Sequence, residues 1–160
     1  MISSTPVKSV QNAPSNPVLL RGWIVAAVGL HAIVCSWHGV EHLEVPVSLT
    51  AMQQAFIAIV ILLLPFVGTA MLWSEKKRAG AWLITMSMFA SLLFGFLNHF
   101  VLSSPDYVLQ VPMDPHRHAF VLSAALLAVT ETIGTVIGIV ALRLPASALT
   151  GLRNKRREET

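Results

Sequence analysis

The sequence predicts an all-α protein: an integral membrane four-helix bundle with both termini cytoplasmic. Composition, mean hydropathy and the layout of the apolar residues carry this reading. Only 12% of the 160 residues are charged, while 54% are hydrophobic. Soluble domains carry roughly 25% charged residues, so the chain has about half the usual charge. Mean hydropathy is +0.68. The apolar residues also gather into four stretches, each long enough to cross a bilayer core of ~30 Å, which takes about 20 helical residues. This composition argues against a soluble globular domain and excludes a disordered one. The single cysteine excludes a disulfide framework within one chain and a Cys-rich zinc or iron–sulfur site.

The elements follow in order. Residues 1–22 are rich in Ser, Pro and Asn and read as a disordered cytoplasmic tail. The first span covers residues 23–43. Its apolar run exceeds a signal-peptide core and has no small-x-small cleavage site, so it reads as a retained helix. The second span covers 51–73. Thr50 is placed to cap it, and Pro65 falls inside it, where a kink is expected rather than an end. The third covers 79–102 and is stopped by Ser103-Ser104-Pro105. The fourth covers 118–142, with Asp114 as its expected N-cap and Pro115 in its first position. Gly134 and Gly138, four apart on this helix, form a small-residue face for close helix approach. Residues 23–143 thus make one transmembrane domain, and residues 144–160 a basic cytoplasmic tail.

Ten of the eleven Lys and Arg fall on one side of the four spans: Lys8, Arg21, Lys76, Lys77, Arg78, Arg143, Arg153, Lys155, Arg156 and Arg157. Only Arg117 falls on the other. The positive-inside rule makes the first side cytoplasmic. The net charge of +3 is therefore read as headgroup-facing and needs no nucleic acid. The expected setting is a multi-pass protein of a bacterial inner membrane, with the lipid bilayer as its first partner.

The functional signal lies in the histidines. Of the six, His38, His42, His99, His116 and His118 fall in one layer on the outer side, contributed by three helices. His38 and His42 share a helical face with His31, flanked by Glu41. Two imidazoles four residues apart can supply two ligands to one metal. The metal-ligand candidates are therefore His38, Glu41, His42, His99, Asp114, His116 and His118. The cofactor is read as a transition metal (Fe, Cu or Zn), or a haem b held by His38 or His42 with His99. The outer loop, stiffened by Pro105, Pro112 and Pro115, is expected to fold over the mouth of the bundle and present Asp114, His116 and His118 downward; read as a helix entry, it instead points His118 inward and leaves His116 half exposed.

Glu131 and His31 lie deeper, at similar depth on the fourth and first helices. Ionisable groups inside a membrane are costly and usually pair, so these two are expected to meet as a catalytic or proton-holding pair. The sequence thus points to a metal- or haem-dependent membrane oxidoreductase, acting on or passing electrons to a lipophilic substrate or quinone. A metal-ion or proton transporter, and an accessory subunit of a larger membrane complex, stand as alternatives. Homo-oligomerisation fits either.

Overall fold

The computed structural model describes residues 17–45 and 47–144. Most of the N-terminal tail and nearly all of the basic C-terminal tail lie outside these residues. Among the described residues there is no strand. Four helices are long and apolar enough to cross a membrane: α1 (Pro17–Glu44), α2 (Ala51–Met71), α3 (Lys77–Val101) and α4 (Arg117–Arg143). This is the mark of a multi-pass membrane protein. Helix α1 begins at Pro17 rather than Trp23, because Pro is pre-organised for the first helical turn and needs no N–H partner there.

Large apolar side chains point outward all along the bundle. Ile33 is 69% exposed and Val136 53%, an arrangement that water penalises and lipid does not. Trp23, Trp73 and Trp82 are exposed near the end that carries Lys76–Arg78. There Arg21 also lies over the Trp73 ring, 5.7 Å from its centroid. This is called the basic end below, and the opposite one the histidine end.

Helix α4 is the centre of the bundle, packed against α1 and α3, while α2 packs against α3. The inward face of α4 repeats at helical spacing: Phe120, Ser123, Ala124, Leu127, Thr130, Glu131, Gly134, Thr135 and Gly138 are buried. Gly134 receives the Met88 side chain and Gly138 receives Thr85, so the expected small-residue face does bring α3 close. A second close approach joins α2 to α3. A Cβ on Gly80 would lie 2.6 Å from the Gly68 carbonyl oxygen and 2.8 Å from Met71 Cβ.

Two π-helical stretches interrupt the α-helices, at Ile57–Leu63 in α2 and Leu97–Val101 in α3. The first runs up to Pro65. Proline has no N–H, so the Ile61 carbonyl lacks its ordinary i+4 donor, and the Pro65 disturbance is absorbed as a widened turn. Thr50 caps α2 as expected, accepting from the Gln53 N–H while the Gln53 side chain accepts from the Thr50 N–H. Pairs of this kind satisfy two otherwise orphaned donors.

The tight α2–α3 crossing has a measurable consequence. Gly80→Val drives a side chain into backbone that cannot yield, and should cost about 1–3 kcal/mol, read as a lowered thermal midpoint in detergent. Gly29→Val is the control. A Cβ there meets nothing within 4 Å, and the midpoint should not fall.

Candidate metal centre

Helix α1 buries a continuous face that includes Ile24, Val28, His31, Val34, Cys35, His38 and Glu41. His38 and His42 follow one turn apart at its C-terminal end, with His42 half-buried. Helix α3 delivers His99 from within its terminal π-helical stretch, a local irregularity often found at functional sites. The three imidazoles meet. His38 stands edge-on to both others, its ring centroid 4.7 Å from that of His42 and 4.9 Å from that of His99. Each offers one ring nitrogen, and these three atoms lie within 4.8 Å of one another. Phe120, fully buried on α4, packs against all three rings.

Hydrogen bonds decide which nitrogen each ring offers. Ser123 Oγ donates its one proton to the Phe120 carbonyl. It must therefore accept from His38 Nδ1, 2.9 Å away, which leaves His38 Nε2 as a bare lone pair, buried and without a partner. His99 Nδ1 lies 3.1 Å from the Asp106 backbone carbonyl. A carbonyl only accepts, so Nδ1 carries the proton and Nε2 the lone pair. His42 Nδ1 is buried and unpartnered. The His38 and His99 rings are thus neutral donors with their protons held on the far side, the arrangement metal-ligating histidines need. A cavity of about 410 Å³ adjoins them. Among its lining residues are Glu131 and Asp106, each nearly fully buried and each with one unpartnered carboxyl oxygen. Burial pushes the Asp106 carboxyl up to about 6.

No family model, curated protein or solved structure matches this chain. The site is therefore read from its own geometry.

The structure brings His38, His42 and His99 together and does not bring Glu41, Asp114, His116 or His118 to them. Glu41 is buried but engaged elsewhere: the Trp37 indole donates to its Oε1 at 2.8 Å, and His116 Nδ1 lies 3.2 Å from its Oε2. Asp114 accepts from the His116 N–H at 2.8 Å but is not the N-cap expected: α4 opens at Arg117 with His116 in the cap position, one residue before the expected span and two after Pro115. His118 is exposed, not inward. The inward face of α4 is set by Phe120 and Ser123, and a residue two positions before Phe120 points roughly the opposite way. His116 is half exposed as expected, its side chain at 49%. The outer loop does fold back, with Val108 N–H donating to the His99 carbonyl and Ser104 Oγ to that of Asn98. It buries Val111 and Asp106 rather than Asp114 and His118.

The expected pairing of His31 with Glu131 takes a different form. His31 Nε2 lies 3.2 Å from the Ile61 carbonyl, the group that Pro65 leaves without its helical donor. Glu131 instead faces the cavity. Among the described residues no hydrogen bond joins the two. Ser123 and Asp106 were not singled out as site residues by the sequence. Ser123, a hydroxyl on the inward face of an otherwise apolar stretch, carried the one usable signal.

His31→Phe should leave the Ile61 carbonyl unanswered and cost about 1–3 kcal/mol, measured by thermal unfolding in detergent. Metal content should not change. A loss of bound metal with stability intact would assign His31 to the metal centre instead.

Proposed function

We propose that this chain is a membrane metalloprotein in which His38, His42 and His99 bind one transition-metal ion, and that the ion performs redox chemistry on a lipophilic substrate held in the adjoining cavity. The observation that carries the reading is the convergence of three imidazoles, of which His38 and His99 have their opposite nitrogens hydrogen-bonded to Ser123 and the Asp106 carbonyl. Three imidazoles suit iron, copper or zinc and leave coordination positions open, the hallmark of a reactive site rather than a closed structural one. Coordination at about 2.0–2.1 Å asks the rings for a modest inward rotation.

Two arguments narrow the chemistry. The rings of His38 and His99 touch edge to face, which leaves no slot for a macrocycle between axial ligands. A bare ion is thus favoured over haem b. The cavity is lined largely by apolar side chains such as Ile57, Ile61 and Leu127. Such a wall is a poor reservoir for hydrolytic water and a good one for a lipid-soluble reactant, which favours iron or copper over hydrolytic zinc. With the Lys- and Arg-rich segments on the cytoplasmic side, the centre sits near the outer face of the membrane.

The test is elemental analysis with an absorption spectrum on protein purified in mild detergent. One iron or copper per chain without a Soret band is expected, and the His38→Ala, His42→Ala double variant should lose it. Full occupancy in that variant would overturn the site. Stoichiometric zinc would keep the site and overturn the redox assignment. Ser123→Ala should weaken metal affinity by about 10–100-fold, the usual cost of removing an outer hydrogen bond to a ligating histidine. Competition with a chelator of known affinity measures it.

A further inference from the structure

Glu131 belongs to no part of the metal-binding argument, yet its surroundings have the form of a binding site. The side chain is 2% exposed, and Oε2 has no hydrogen-bond partner. A buried polar atom left unanswered is costly, so a ligand that satisfies it regains that cost. The oxygen lines the same cavity as the three histidines. Gly95 of α3 separates them. A Cβ at this position would lie 3.7 Å from Glu131 Oε2 and 3.9 Å from His99 Cδ2. A glycine here keeps open the space that joins the carboxyl group to the imidazoles.

The walls indicate what fills that space. Phe94 lines the cavity and is stacked on Phe56 with centroids 4.7 Å apart and planes at 24°. Leu127 and Cys35 contribute further apolar surface. A flat apolar ring is well suited to such walls. The polar end must satisfy a carboxyl oxygen. An ionised carboxyl only accepts, and a protonated one also donates. A hydroxyl group answers both states.

We propose that the cavity binds an aromatic hydroxyl compound of the phenol or hydroquinone class, its ring passing Gly95 and its hydroxyl hydrogen-bonded to Glu131. This deepens the reading of the cavity as the substrate site and rests on it. It does not require the metal to be iron or copper.

Para-octylphenol and its methyl ether are the probes, titrated by calorimetry into the full-length protein in detergent, with metal content measured in parallel. In the ether a methyl group replaces the hydroxyl proton, so the oxygen can still accept a hydrogen bond but no longer donate one. Wild-type protein should prefer the phenol by on the order of tenfold, the loss expected when a buried acceptor goes unanswered. Glu131→Leu should abolish that preference while keeping both ligands bound. Gly95→Leu should exclude both ligands. Metal content should stay unchanged in each variant. Equal affinity for phenol and ether in wild type, failure to bind either, or a preference retained in Glu131→Leu would overturn the proposal. A wild-type protein without metal would overturn the metal reading alone, because the phenol and ether comparison reads Glu131 directly.

Discussion

A neutral imidazole has one proton and two nitrogens, and in an apolar bundle the proton must be held somewhere. The layout of the histidine end follows from this constraint. His38 donates a hydrogen bond to Ser123 on α4, and His99 to the Asp106 carbonyl in the long connection. Two different segments therefore set two of the ring orientations. Each depends on something further away. Ser123 accepts only because the Phe120 carbonyl takes its own proton. Asp106 is in place because Val108 and Ser104 tie the connection back to the end of α3.

The two ends of the bundle divide the work. Toward the basic end, Gly68, Gly80 and Gly138 let helices approach to backbone contact, around a cluster that includes Ile24, Leu72, Ile84 and Met88. Density of this kind is the main source of stability among helices that gain nothing from expelling water. Toward the histidine end the packing opens into the cavity, and both π-helical stretches contribute residues to its wall. Buried polar groups without partners are tolerated there because the rest of the bundle is close-packed. Strain and unsatisfied atoms commonly concentrate at sites that bind or react.

Much of this was legible in the chain. The four helices follow from lengths of apolar sequence that only a helix can satisfy in lipid. The meeting of His38 and His42 follows from their spacing of four. The approach of His99 follows from depth alone, since an antiparallel third helix must end at the level where the first does. The small-residue face of α4 was visible as two glycines four apart. The misplaced residues cluster in and around the 102–116 connection. Its path is set by single hydrogen bonds between side chains and backbone, such as Ser104 to Asn98 and Asp114 to His116, and no periodicity announces these. Glu41 misled because a helical wheel gives direction without neighbours. It points to the interior edge as expected, but Trp37 and His116 claim its oxygens. His31 and Glu131 were correctly placed deep in the bundle. Their partners depended on a carbonyl exposed by a proline one helix away, which depth arithmetic does not reveal.

Helix α2 is the least buried of the four, and its Ile57 and Ile61 form part of the cavity wall. Its hold on α1 near the cavity includes one long-range bond, from His31 to the Ile61 carbonyl. A wall seated so shallowly yields at lower cost than any other. In a fluid bilayer its displacement trades protein contacts for lipid contacts of similar strength. For the proposed lipophilic substrate, entry past this wall would then be a property shared with the surrounding lipid, whose acyl-chain order and lateral pressure would set its frequency along with the protein.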